Sequence, residues 1–406
     1  MASGMRDGNF DIHHSSRKLK NAVRFLSERS DICMENKRKI LEFQDWLGAN
    51  GLSVLRQVFY IQHLTSIAAM LRKPFRECVK QDIIKLMNTI NARSLSEWTK
   101  RGYAVTVKKF WRWLMGCSDG EDPPETAWIK IKNVKENSLL PEGLLTEEDV
   151  LALLKAAEHP RDKAFLLVID ECGGRIMEIL TLIMSRVTFD EYGAVIRLKG
   201  SKGERRVRLI ASAPALANWI DHHPFRNESD APVWVNVGTT NHGQPLDYAS
   251  ARKLLRDLAR KAGIKKRVNA YTFRHSTITH MANLLTESQL CEYFGWKQGS
   301  KMPRVYVHLS GRDVDKRLLE IHGLKRKEEE ALKLTVQICA RCKARNSPAS
   351  RFCNTCGSAL NIKDALDVDE RIRRAEEVME ILLKDNEVKV FLMEKMRQLN
   401  LVDRLT

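Results

Sequence analysis

Residues 269–310 read NAYTFRHSTITHMANLLTESQLCEYFGWKQGSKMPRVYVHLS. Within them Arg274 stands directly before His275, Gly295 before Trp296, and Tyr306 lies in the basic, helix-compatible run Arg304-Val305-Tyr306-Val307-His308. A fourth element lies well upstream, Gly173-Gly174-Arg175-Ile176-Met177-Glu178-Ile179-Leu180. A guanidinium presents a planar fork of donors that meets phosphate oxygens two at a time. A phenol is one of the few side chains able to form a covalent intermediate. Two arginines far apart in the chain and a tyrosine near the end of a domain therefore suggest phosphoryl transfer.

The 406 residues around this stretch suffice for two or three domains with a sizeable core. A net charge of +17 favours a polyanionic partner; the plainer reading is a basic protein with no nucleic-acid role. No apolar run is long enough to span a bilayer, and the opening MASGMRDGNFDIHHSSRK has no signal-peptide h-region. A cytoplasmic location without membrane association is the expectation. Cys33, Cys78, Cys117, Cys172 and Cys291 are scattered and read as small buried residues rather than a disulfide framework.

Residues 1–20 are polar and lack periodicity, the composition of a flexible tail. A helical domain is expected over 21–117, with the helical pattern running from Glu35 to Gly116. Ile40, Phe43 and Leu47 mark one amphipathic helix, and Leu55, Val58, Ile61, Leu64, Ala68 and Leu71 a second that stops before Pro74. Tyr103, Val107, Phe110, Trp111 and Leu114 line a third, which also carries Arg101, Lys108, Lys109 and Arg112. Those four cations are either a DNA-facing patch or simply a solvated face. Residues 118–143, with Pro123 and Pro124 adjacent and a basic run from Lys130 to Lys135, read as an extended linker.

A capping box at Thr146-Glu147-Glu148-Asp149 opens a domain expected over 144–323. Ala194–Leu198 and Arg205–Ile210 alternate with period two around the turn Lys199 to Glu204, which predicts a β-hairpin. Ile196, Leu198, Val207 and Leu209 would face the core and Arg197, Arg206 and Arg208 the solvent. Further helices are expected over Ser212–Asp221 and Tyr248–Ala262, and another after a second capping box at Thr286 and Gln289. In 324–361, Cys339-x-x-Cys342 and Cys353-x-x-Cys356 offer four thiolates at the spacing of a structural Zn²⁺ ribbon, with a redox dithiol as the alternative. In 362–406, Val368, Ile372, Ala375, Met379 and Leu382 form a coiled-coil-like seam, too short to be stable as a lone helix.

GGRIMEIL, the Arg-His pair, the Gly-Trp pair and the tyrosine of PRVYVHLS together resemble the motif set of the tyrosine recombinases, the phage-type integrases, and most closely their archaeal branch. The resemblance covers residues 36–323. It implies a mainly α fold with a small β-sheet: an N-terminal helical, SAM-like core-binding domain that clamps DNA, then an α+β catalytic domain. It also implies that Tyr306 attacks a DNA phosphate to give a 3′-phosphotyrosyl link, with Arg175 and Arg274 bracketing that phosphate and neither ATP nor a catalytic metal required. A lysine in the hairpin turn would protonate the departing 5′ oxygen. Lys199 and Lys202 both fit, and Lys202 is favoured because it directly precedes the turn glycine Gly203. Trp296 takes the place where the family holds His or Trp, its indole N–H turned to the phosphate. His275 matches the second residue of the family's Arg-His pair, which is structural there.

One residue departs from the pattern. Three positions before Arg274 the family carries His or Lys, and here Tyr271 follows Ala270. A neutral phenol donates a hydrogen bond but is a poor general base, so acid–base work at this point is weakened or rerouted. The implied partner is double-stranded DNA at an unknown attachment site, met by a homo-tetramer at synapsis. Two other readings remain: a type IB topoisomerase, which religates the same strand, and a DNA-binding regulator with an inactive site.

Overall fold

The computed structural model describes residues 10–118, 120–131, 133, 143–200, 203–239, 241–307, 319, 322–323, 334–348 and 350–398. The chain divides into two compact units: Asp11–Leu140, and Pro141–Thr406 together with residues 1–10.

Among its described residues the first unit holds five α-helices, α1 (Ser15–Glu28), α2 (Met34–Ala49), α3 (Val54–Leu71), α4 (Lys80–Ala92) and α5 (Glu97–Leu114). The stripes of α2, α3 and α5 meet in an aromatic core, where Phe110 packs edge-to-face on Phe43 at 5.2 Å and on Phe75 at 4.8 Å. Aromatic pairs of this geometry add to the stabilisation from burial. Asn36, buried in α2, donates to Lys73 O and accepts from Phe75 N, so its amide satisfies the turn after α3.

Two features differ from the sequence reading. The segment expected as a flexible tail contains the start of α1, and Phe10 and Ile12 before it are buried. Only Ala22 and Leu26 of α1 are buried, two residues one turn apart, too sparse a stripe to register as periodicity. Residues 120–131 of the expected linker also pack rather than extend. Ile129 is buried, Lys108 donates to its carbonyl, and Asp122 takes Lys108 and Arg112 at 2.6 Å each. Two of the four cations on α5 are therefore neutralised within the unit, and Lys109 sits over the rings of Trp46 and Tyr60.

The second unit carries α6 (Glu147–Ala156), α7 (Pro160–Cys172), α8 (Ile176–Leu180), α9 (Ala213–Asp221), α10 (Tyr248–Lys261), α11 (Ala270–Met281), α12 (Glu287–Phe294) and α13 (Met302–Val307). Both capping boxes form: Thr146 with Asp149, and Thr286 with Gln289, each exchanging backbone and side-chain hydrogen bonds. The hairpin is β2 (Gly193–Gly200) with β3 (Gly203–Leu209), in register Lys199 to Glu204, and β1 (Val187–Asp190) extends it to an antiparallel sheet of order β1-β2-β3. Ile196, Leu198, Val207 and Leu209 are buried, while Arg197 and Arg206 are exposed. The sequence reading did not include β1, whose short run Val187–Asp190 is mostly exposed.

Helix α7 is the centre of this unit. Ala164 to Ile169 are buried without a break, and the helix packs against α9, α11 and β3. Its C-terminal end is tied on two sides. The Glu171 carboxylate accepts from the backbone N–H groups of Ile210, Ala211 and Ser212 ahead of α9, and Thr277 of α11 donates to Asp170 O at 2.6 Å. This anchorage holds the chain at Gly173-Gly174-Arg175.

Beyond these, β4 (Gln337–Ile338) and β5 (Arg345–Asn346) pair antiparallel, followed by α14 (Ile362–Leu382) and α15 (Asn386–Gln398). Met379 and Leu382 of the expected seam are exposed. No described helix is long and apolar enough to cross a membrane. Of the scattered cysteines, Cys78, Cys172 and Cys291 are buried and Cys33 is exposed.

Candidate active site

Two glycine bends and one helix carry the candidate residues to one place. At the end of α7, Gly173 adopts φ +51, and a Cβ there would lie 2.8 Å from the Phe294 ring. The left-handed bend and the close approach both require glycine. They release Arg175 as the residue that opens α8, with Glu178 one turn on. At the end of α12, Gly295 adopts φ +66, and a Cβ there would meet Arg205 Cδ at 2.9 Å. That bend turns Trp296 back over α13. Helix α11 supplies Tyr271, Arg274 and His275 from its first two turns.

Glu178 organises the cations. Its side chain is 4% exposed and takes Arg175 at 2.8 Å through Oε1 and Arg205 at 2.8 Å through Oε2. Burial works against its charge, but Arg205 and Arg175 prevail and hold the carboxyl below its ordinary range. Arg205 also donates to the Tyr293 carbonyl, so it joins the sheet to α12. Arg274 donates to Gly173 O at 2.6 Å and to Phe294 O at 3.3 Å, which ties α11 to both glycine bends. Burial, then the neighbouring Arg175 and Arg205, push Arg274 down to about 10, which leaves it cationic at neutral pH. Its guanidinium lies 5.5 Å from the Phe294 ring centre and 5.8 Å from that of Trp296.

Tyr306, on α13, is 2% exposed. Its ring stacks on Trp296 at 5.9 Å and 17°, and its hydroxyl lies 3.2 Å from His275 Nδ1 and 3.4 Å from His275 Nε2. The Tyr271 ring lies 3.9 Å from that of His275. A cleft of about 510 Å³ is lined by Arg175, Arg274 and Tyr271, and another of about 420 Å³ by Arg175, Glu178, Arg205 and Trp296. The fold thus gathers Arg175, Arg274, Tyr271, Trp296 and Tyr306. Lys199 stands exposed on β2, and Lys202 lies outside the described residues.

Glu178, Arg205 and His275 were absent from the residues predicted for the site. Arg205 had a readable signal. Strand alternation that turns Leu209 and Val207 inward turns Arg205 inward as well. A cation on a core face must find a partner.

The four cysteines of the two Cys-x-x-Cys pairs also converge. Their sulfurs lie within 4.8 Å of one another, with Cys339 to Cys356 at 3.6 Å and Cys342 to Cys353 at 3.4 Å. Disulfides need about 2.05 Å, so these are separate thiols. Ligands about 2.3 Å from a tetrahedral zinc lie about 3.8 Å from one another, which this cluster fits.

With this geometry in hand, the chain can be compared with known proteins. Residues 144–312 match the phage integrase family. They belong to it. The tyrosine recombinase XerC of Chromobacterium violaceum is 26% identical over 250 residues, 60% of this chain and 80% of that protein. The tyrosine recombinase XerA of Pyrococcus horikoshii is 28% identical over 152 residues, 37% of this chain and 51% of its own. Among solved structures, the XerH site-specific recombinase bound to palindromic difH substrate superposes with TM-score 0.53 at 17% identity, covering 76% of this chain and 95% of XerH. A lambda integrase tetramer bound to a Holliday junction superposes with TM-score 0.52 at 13% identity, covering 66% of this chain and 76% of that one. At these identities the structures establish a shared fold.

Proposed function

We propose that this chain is a site-specific DNA recombinase that cuts and rejoins strands through Tyr306. The observation that carries this is one buried tyrosine hydroxyl against His275, the residue after Arg274, with Arg175 held by Glu178 on the cleft it shares with Arg274. The Tyr306 oxygen forms a bond to phosphorus as the bond to the 5′ oxygen breaks. The link keeps the energy of the phosphodiester, so a second strand's 5′-OH can reverse the attack without ATP. Arg175 and Arg274 face the charge that develops on the non-bridging oxygens, each worth about 3 kcal/mol at the transition state. Lys199 or Lys202 gives the 5′ oxygen its proton, and the Trp296 indole adds a donor. The two arginines supply the positive field that a metal supplies in other phosphoryl-transfer sites. With 2% of Tyr306 exposed, its hydroxyl has to be uncovered before a DNA phosphate can reach it.

We further assign residues 21–117 as the DNA clamp, 144–323 as the catalytic domain, and 324–361 as a structural zinc ribbon held by Cys339, Cys342, Cys353 and Cys356. The partner is double-stranded DNA at an attachment site, met by four copies at synapsis, in the cytoplasm. The motif set favours the archaeal branch of the tyrosine recombinases. The test is a nicked suicide duplex, with supercoiled plasmid to separate recombination from relaxation. Wild type should form a covalent protein–DNA adduct and Tyr306→Phe none, while DNA affinity holds because the phosphate-binding cations remain. An adduct that persists in Tyr306→Phe would sink the assignment. Relaxation without site preference would favour a topoisomerase.

A further inference from the structure

We infer that His275 is a catalytic residue, the proton acceptor for Tyr306, in place of the acid–base group that Tyr271 cannot supply. The inference rests on the recombinase reading above. It starts from the contact between the two side chains: the Tyr306 hydroxyl lies 3.2 Å from Nδ1 and 3.4 Å from Nε2 of His275. That is hydrogen-bond reach for a general base. A phenol ordinarily titrates near pH 10, so attack at neutral pH needs a partner that takes the proton.

The imidazole is placed for this by its helix. His275 follows Arg274 directly on α11, so the helix that presents a guanidinium to the phosphate presents the imidazole beside it. Tyr271, one turn earlier, lays its ring 3.9 Å from that of His275 and fixes the imidazole plane. The Tyr271 residue is 53% exposed and lines the cleft of the two arginines. It supports the histidine from the solvent side. Burial, and then the Arg274 charge, depress His275 to about 4, so it is neutral at physiological pH and keeps a free lone pair.

The step balances. As Tyr306 Oη bonds to phosphorus its proton passes to the His275 ring nitrogen, and as the bond from phosphorus to the 5′ oxygen breaks that oxygen takes a proton from the hairpin lysine. Negative charge gathering between Arg175 and Arg274 then favours the imidazolium. The reverse proton transfers accompany rejoining.

The alternative is that the contact only stores Tyr306 in its shielded state. The experiment is single-turnover adduct formation on a nicked duplex carrying the scissile position mapped for wild type, with a 5′-bridging phosphorothiolate version in parallel. His275→Gln keeps a polar side chain of similar reach, and DNA binding with circular dichroism reports that the variant is folded. The expected result is an adduct rate lower by about 10²–10⁴-fold, with DNA affinity retained. The phosphorothiolate, whose leaving group needs no proton, should not restore that rate. A rate equal to or above wild type makes His275 a storage contact and overturns the inference. Restoration by the phosphorothiolate assigns His275 to the leaving group and also overturns it. If wild type itself forms no adduct, the recombinase reading fails instead.

Discussion

Glu178 holds two of the guanidiniums at this site in place. A carboxylate so buried persists only because two guanidiniums face its two oxygens, and each guanidinium is aimed in return. Removing its charge leaves Arg175 and Arg205 beside each other without a counter-ion. Glu178→Gln should therefore destabilise the second unit by about 3 kcal/mol, the scale of a broken buried pair. It should also lower adduct yield with intact DNA binding, read by thermal unfolding beside the suicide-substrate assay. The same contact carries a pH signature. Because the folded-state value of Glu178 is depressed, its contribution is complete above the unfolded value of about 4.3 and is lost as pH falls through the folded one. Wild type should thus lose an acid-side increment of stability that Glu178→Gln lacks.

Among the elements, the two glycine bends matter more than the helices they end. Gly173 shapes the exit of α7, and its carbonyl receives Arg274. Gly173→Ala must hold an L-residue at φ +51 and fit a Cβ 2.8 Å from the Phe294 ring and 3.1 Å from Thr277. The strained backbone costs about 1–2 kcal/mol and the overpacking about 1–3 kcal/mol more. Thermal unfolding should show the loss, at about 2–4 °C per kcal/mol for a domain of this size. Because Phe294 and Arg274 must shift together, adduct formation should fall in the same variant. A Gly173→Ala protein with unchanged melting temperature and cleavage would mean that the α7 exit relaxes freely.

For the whole molecule, the cysteine cluster and the last helices follow the gathered candidate residues in the chain. Residues of β5 pack against α9, and Arg345 donates to the Glu191 carbonyl, so the cysteine segment is seated on α9 and on the turn between β1 and β2. A segment this short has little apolar burial, so with the proposed metal on its thiols its order should depend on that metal. Truncation after residue 325 should preserve cleavage of a nicked substrate while weakening oligomerisation and complete recombination. Cys353→Ser, or chelation, should reproduce only the part that depends on the ribbon. Light scattering beside adduct yield measures both. A truncated protein that stays folded by circular dichroism but no longer cleaves would assign the appendage to the active site or to DNA grip.

Local patterns were legible in the sequence because they depend on neighbours in the chain. Thr146 and Thr286 found Asp149 and Gln289 three residues away, and period two sorted Ile196, Leu198, Val207 and Leu209 to the core. The candidate residues Arg175, Arg274, Trp296 and Tyr306 could be named from their motifs. What those residues touch could not. Arg205 reaches Glu178 and the Tyr293 carbonyl across intervals of 27 and 88 residues, and His275 meets Tyr306 across 31. Such partners are chosen when α7, α11, α12 and the sheet pack, since a buried charge or hydroxyl takes whichever group the fold brings within reach. The α1 segment and residues 120–131 were misread for the same reason, because a sparse apolar stripe becomes core only once another element covers it.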